Sequence, residues 1–365
     1  GDETDEFYND EESRRRRAER YRKAYAIDTP KQLLGMLLGI TVIYLLLFLI
    51  CMDDIRDLSI WMGIFMKQFK LSGIVVPIIT PIDKEENVNE AKLRAQVDYV
   101  IEGGVSGILA FGSNGEFYMV EEDEQERVLK IILDQAKGRV PVYMGIGAIS
   151  TKKCIRIAKM AQRLGADAIS VLQPMFLKPT EDELFLHFKS IADSVPEMPM
   201  LLYNNPGRTG YTMSGNLVER LAHEVKNIVG MKDSSGDVTQ LEEFIRRNQD
   251  VGFQVMGGKD TLIYPSLCVG ATGSVCTTAN FVPKLVCSIY NAFASGDLKE
   301  ALRLQFQFNP MRLAMDKSSF PVATKDYCNL MGLDVGDPYL PNLPASGAGR
   351  EALIRECEKA GYLKK

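Results

Sequence analysis

The stretch 227–237, NIVGMKDSSGD, places Lys232 at the end of an apolar run that reads as a buried strand, followed by turn residues at 233–236. Lysine is rarely buried without a partner, because its charged form is costly to desolvate. An amine held beside apolar walls gives up its proton more readily and becomes a nucleophile toward carbonyls. Upstream, YNNPGRTG at 203–210 carries a phenol, Tyr203, and a guanidinium, Arg208, on one loop. A phenol within reach of such an amine can shuttle the protons that Schiff-base chemistry moves. GSNGE at 112–116 is a tight turn whose amides, with Ser113 and Asn114, offer a cradle for a carboxylate. Singly, each group has a plainer reading: Lys232 snorkelling to a rim, Tyr203 an aromatic at the core edge, Arg208 a surface ion pair, GSNGE an ordinary turn. Jointly they describe one device. The cradle holds a 2-oxo acid with its carbonyl at the amine, and Lys232 forms an imine.

Such a device needs a scaffold that brings distant segments to one mouth. From residue 73 onward, short β-branched runs at 73–80, 107–111, 141–145, 167–172, 200–203, 228–232, 252–256 and 272–276 alternate with amphipathic stretches such as 90–102, 121–137, 151–164, 181–195 and 238–248. Eight strands, seven crossovers and an eighth helix at 283–294 point to an α/β fold, a closed (β/α)8 TIM barrel over 73–295. The region 296–365 adds a C-terminal helical extension interrupted by DPYLPNLP at 337–344. A doubly wound open sheet is the alternative, but no GxGxxG follows the first strand. A barrel puts its chemistry at the C-terminal ends of strands. Thr80, Ser113, Tyr203 and Lys232 all fall at such ends, and the fifth and sixth strands are neighbours, so Tyr203 and Lys232 converge.

The motifs GIVVPIITP (73–81), GSNGE (112–116), YNNPGRTG (203–210), GMKDSSGD (230–237) and ATGSVCTTAN (271–280) occur in this order, and with them the chain resembles the dihydrodipicolinate synthase / N-acetylneuraminate lyase family of class I, pyruvate-dependent aldolases over roughly residues 66–365. The resemblance implies imine formation with pyruvate at Lys232, acid/base work by Tyr203, and pyruvate carboxylate binding by Ser113 and Asn114. It implies that Arg208 grips the carboxylate of an aldehyde partner. Thr80, Val275 and Phe176 complete the expected substrate-binding set. No metal or organic cofactor is expected, and the assembly implied is a homotetramer built as a dimer of dimers. Two positions depart from the synthases. Ser113-Asn114 stands where they usually carry two threonines. Phe176, in QPMFLKP (173–179), stands where they place a tyrosine that enters a proton relay across a subunit interface. Arg208 favours an acidic aldehyde such as aspartate semialdehyde, whereas Phe176 suits a related 2-oxo-3-deoxy sugar acid or N-acetylneuraminate-type aldolase. The synthase reading leads. A reading of another class is a catalytically idle barrel serving as a membrane-anchored binding module.

Composition narrows the field further. The 365 residues carry a formal charge of −5 with 46% hydrophobic content, which gives no global pull toward nucleic acid. Seven scattered cysteines without a CxxC pair, and two histidines, His187 and His223, in charged helical surroundings, argue against a disulfide framework or a zinc site. Ahead of the barrel, residues 1–32 run from acidic to basic, as a disordered or solvated segment does. Residues 33–52 are 20 residues without a charge, the length of a transmembrane helix. The basic residues before this run and the acidic ones after it would put the barrel outside, in conflict with cytosolic substrates. A buried core helix is the alternative for 33–52. Residues 53–72 read as a linker in which Met62 and Met66 precede a clean domain start, so the leading segment is either a misassigned gene start or a fused anchor. The catalytic domain is expected in the cytoplasm, single-pass at the membrane if 33–52 belongs to the mature protein.

Overall fold

The computed structural model describes residues 69–363 together with Arg15, Thr41, Val42 and Tyr44. Those four apart, the charged segment 1–32, the apolar run 33–52 and positions 53–68 lie outside the described residues. Among the described residues no helix is long and apolar enough to cross a membrane. The chain divides into two units, Gly1–Trp61 and Met62–Lys365.

The second unit is built on eight parallel strands: β1 Gly73–Pro77, β2 Gly107–Ala110, β3 Val142–Ile146, β4 Ala168–Leu172, β5 Met200–Asn204, β6 Ile228–Asp233, β7 Gln254–Gly257 and β8 Gly273–Val275. They pair in sequence order and close, β8 against β1, into a barrel. Helices α1 Glu90–Glu102, α2 Glu122–Ala136, α3 Thr151–Leu164, α4 Glu181–Ser194, α5 Gly215–Glu224, α6 Val238–Asn248, α7 Ile263–Cys268 and α8 Pro283–Ala294 return the chain between strands or follow the last one. Three more, α9 Leu298–Ala314, α10 Val322–Leu330 and α11 Gly347–Lys359, form the C-terminal region. Side chains of Ser150, Thr180, Ser214, Asp237 and Asp297 cap the N-termini of α3, α4, α5, α6 and α9, satisfying donors those helix starts leave open. The expected strand at 73–80 stops at Pro77, and residues 78–80 form the loop that leads to the mouth.

Strand residues are buried on both faces, as parallel barrels require. One face packs on the helices through Ile74, Ile108, Ile169 and Leu202; the other fills the barrel with Val75, Leu109, Tyr143, Ala168, Leu201, Val229, Met256 and Val275. This parity matters for Lys232. Side chains alternate along a strand, so with Val229 inside, position 231 would follow it in and 232 would face the helices. A register slip between β5 and β6 prevents that: Met200 faces Ile228, but Leu201 faces Gly230 and Tyr203 faces Lys232. Bulges of this kind re-aim side chains beside active sites. Gly230 permits it, since a Cβ there would lie 2.4 Å from the Gln254 carbonyl oxygen.

Candidate active site

The slip turns Lys232 into the barrel mouth, where it is only 6% exposed and its Nζ lies 4.2 Å from the centre of the Tyr203 ring. Tyr203 itself is buried; its hydroxyl accepts a 2.8 Å hydrogen bond from Asn205 Nδ2 and lies 3.5 Å from Ser113 Oγ. Burial pushes the phenol's pKa up, but the Lys232 cation and hydrogen bonds from Ser113, Asn205 and Ser234 outweigh it and hold it below the usual tyrosine value. An acidified phenol against an ammonium is the arrangement for moving a proton to and fro.

The ends of β4, β5 and β6 are tied together behind this pair. Asn204 Nδ2 donates to Asp233 Oδ1 at 2.7 Å, while Asn204 Oδ1 accepts from Gln173 Nε2 at 3.1 Å and from the Met213 amide at 3.0 Å. Ser235 Oγ takes the other Asp233 oxygen at 2.6 Å. A buried network in which each member is satisfied fixes one geometry, and here it fixes the strand ends that carry Tyr203 and Lys232.

A cavity of about 300 Å³ opens above the amine, lined in part by Ser113, Asn114, Tyr203, Asn205, Arg208 and Lys232. That volume exceeds what one small 2-oxo acid fills and leaves room for a second reactant. Lys259, Arg312 and Phe320 also line it. The Arg208 guanidinium lies 4.1 Å over the Phe320 ring. From Arg94 to Arg303, Arg208 alone of the arginines has no carboxylate within ion-pair distance among the described residues. The one acid on the lining, Asp260, is spent on the Thr278 amide and hydroxyl at 2.8 and 2.6 Å and on the Thr277 amide at 3.3 Å. The mouth is therefore electropositive and suited to anionic reactants.

Residues 70–360 match the model of the dihydrodipicolinate synthetase family. The chain belongs to that family. It is 36% identical over 296 residues to the 4-hydroxy-tetrahydrodipicolinate synthase of Methanopyrus kandleri, covering 81% of this chain and 98% of that protein. Over 287 residues it is 38% identical to the enzyme of the same name from Trichlorobacter lovleyi, covering 78% and 98%. Among solved structures, the chloride-inhibited dihydrodipicolinate synthase of Acinetobacter baumannii complexed with pyruvate superposes with a TM-score of 0.77 at 34% identity, covering 80% of this chain and 100% of that one.

Five of the residues singled out in the sequence, Ser113, Asn114, Tyr203, Arg208 and Lys232, line the one cavity. Three do not. Thr80 is buried behind the strand-two turn, where its hydroxyl donates to the Gly115 carbonyl at 2.8 Å. Val275 faces the apolar barrel interior beneath the amine with Leu109 and Tyr143, because it continues the inward parity of β8. Phe176 stands on the loop after β4 at a φ of 71° and is 94% exposed, outside the cavity of its own chain. Other neighbours of these residues escaped the sequence: Asn205 on the phenol, Thr277 beside Asn114, and Thr324 and Lys325, which reach the strand-two turn from α10. Asn205 sits within a motif already noticed. Thr277 likewise lies in the motif at 271–280, whereas nothing local marks Thr324 and Lys325, whose partners lie far away in the chain.

Proposed function

We propose that the chain is a Schiff-base-forming carbon–carbon lyase of the class I aldolase type. It acts on pyruvate without metal or organic cofactor, and its leading activity is the condensation of pyruvate with aspartate semialdehyde. The observation that carries this is the register pairing of Lys232 with Tyr203 at the floor of a cavity that also holds Ser113. The names of the relatives support the same reading.

In this mechanism the Ser113 hydroxyl and the turn amides receive the pyruvate carboxylate. The Lys232 nitrogen attacks C2, and the carbonyl oxygen takes a proton through Tyr203 to give a carbinolamine. Tyr203 then helps this hydroxyl leave as water, forming the iminium. Loss of a C3 proton gives an enamine whose C3 attacks the aldehyde carbon, and that oxygen becomes a hydroxyl. Arg208 holds the aldehyde's carboxylate, a task its guanidinium can take up because no carboxylate among the described residues pairs with it. Hydrolysis returns the lysine.

A second reading, a 2-oxo-3-deoxy sugar acid or N-acetylneuraminate-type aldolase, is favoured by Phe176, whose ring has no hydroxyl to relay a proton. Exposure of Phe176 and Leu177 on this loop and of Leu186 on α4 also supports assembly into a homotetramer, in which this face would meet another subunit. The proposed setting is a cytoplasmic catalytic domain, with single-pass anchoring if 33–52 spans a membrane.

Borohydride trapping with pyruvate tests the reading. A stable adduct should form, digestion should place the pyruvyl mass on the peptide containing Lys232, and Lys232→Ala should abolish both adduct and turnover. An adduct on another lysine, such as Lys259, would overturn the assignment. A screen of pyruvate with aspartate semialdehyde, set against cleavage of sialic and 2-oxo-3-deoxy sugar acids, separates the two readings.

A further inference from the structure

The turn that carries Ser113 is clamped from the far end of the chain. Asn114 spends its side-chain amide on two threonines: Nδ2 donates to Thr277 Oγ1 at 2.8 Å, and Oδ1 accepts from Thr324 Oγ1 at 2.9 Å, 210 residues away. Gly115 follows, its carbonyl taken by Thr80 and its Cα so close to Ile78 that a Cβ would lie 3.1 Å from that carbonyl oxygen. Glu116 comes next, with φ 54° and ψ 40°, a left-handed conformation that non-glycine residues adopt only when the surroundings hold them there.

Those surroundings come from the C-terminal region. Glu116 Oε2 lies 2.8 Å from Lys325 Nζ, in a contact that is ionic without hydrogen-bond geometry at that oxygen, and Oε1 accepts from the Tyr339 amide at 3.1 Å. Lys325 also donates to the Asp337 carbonyl at 2.9 Å and sits 5.3 Å from the Tyr339 ring centre. The two charged side chains are 0% and 2% exposed. Burying such a pair is a poor route to stability, because apolar residues of similar volume often do as well. Its best-attested use is to fix one arrangement against others. Three consecutive residues, 114 to 116, are thus pinned, while Ser113 faces Tyr203.

We propose that Thr324 and Lys325 on α10 are positioning residues for the carboxylate cradle. They hold the 113–116 turn so that Ser113 meets pyruvate, while Asn114 serves as an internal strut rather than as a side-chain ligand. The inference rests on the imine reading above. It assigns the C-terminal region a part in substrate binding, which packing against the barrel alone would not require.

The test reads pyruvate saturation, separately from fold and chemistry. Thr324→Val keeps the volume and loses the hydroxyl. It should raise the pyruvate concentration for half-maximal borohydride trapping, and the pyruvate KM, by about fivefold or more, with a smaller change in kcat and the same adduct yield at saturation. Thr324→Ser should restore the wild-type value. Lys325→Met alone leaves Glu116 a buried charge without its partner, so the double variant Glu116→Gln/Lys325→Met, which removes both charges, is the informative one; it too should need more pyruvate. Wild-type saturation in both Thr324→Val and the folded double variant would overturn the proposal. Absence of any adduct in the wild-type chain would sink the imine reading and this inference together.

Discussion

An ammonium stacked on a phenol ring raises the question of which group holds the proton when substrate arrives. Lys232 Nζ is 4.2 Å from the Tyr203 ring centre, and the Tyr203 hydroxyl is held by Asn205 on one side with Ser113 on the other. The ring thus offers the cation a face, and the hydroxyl offers an exit for a proton. Tyr203→Phe separates these roles, since it keeps the ring and removes only the oxygen. We expect imine formation to slow by about 10²- to 10⁴-fold, the range of general acid–base groups. The final yield of trapped adduct should stay near that of the wild-type chain, because the amine is untouched. Rapid-quench trapping measures both. A variant that forms adduct at the wild-type rate would move the proton shuttle elsewhere, with Ser113 the nearest hydroxyl.

At the scale of elements, the helices that brace the barrel carry their own liability. His187 on α4 is buried, its Nδ1 lies 2.8 Å from Thr151 Oγ1 on α3, and its Nε2 has no hydrogen-bond partner among the described residues. Burial drives its pKa from 6.5 down to about 4. A depressed histidine is equally neutral in folded and unfolded chains above pH 6.5. Below that, the unfolded chain takes up the proton first, so stability falls until about pH 4 and then levels. That shift corresponds to about 3 kcal/mol across the window. His187→Asn, which can keep the bond to Thr151, should therefore lose about 2–3 kcal/mol less than the parent between pH 7 and pH 4.5, measured by urea denaturation. Equal losses would mean that surface carboxylates such as Glu126, held to about 2 by Arg163 and Lys130, account for the acid sensitivity.

Elements also divide what the sequence shows from what it conceals. Every strand was visible, because both faces of a parallel barrel are apolar and the runs are short and bounded by turn residues. Lys232 stood out because it ends such a run. The slip that aims it inward did not: its only local trace is Gly230, one small residue among several. The clamp on Asn114 and Glu116 was equally hidden. Thr324 and Lys325 lie in a short helix whose residues 322–328 are all buried, and only the folded chain puts them 2.9 and 2.8 Å from their partners. The family resemblance puts Thr80 and Val275 among the substrate contacts, but side-chain direction turns one behind the turn and the other into the floor.

For the whole molecule, the lower end of the barrel sets where the packed unit begins. It reaches further toward the N-terminus than β1. Leu71 is fully buried in the barrel interior and its amide donates to Gln254 Oε1 at 2.8 Å. Phe69 packs edge-on against Tyr143 at 5.9 Å between ring centres. These two residues plug the opening opposite the active site, so residues 69–72 act as part of the domain rather than as linker. Every site residue lies within 80–325. We therefore expect a chain begun at Met62 to fold, keep its melting temperature within a degree or two, and retain full turnover with pyruvate. A chain begun at Gly73 should fare much worse. Deleting a buried Leu side chain such as Leu71 typically costs about 2–5 kcal/mol, the half-buried Phe69 adds to that, and here the barrel interior would also open to water. Calorimetry and activity on the two truncations, beside the full chain, decide the matter. If the Met62 chain aggregates or loses turnover, residues 1–61 support the catalytic unit, and the boundary belongs further upstream.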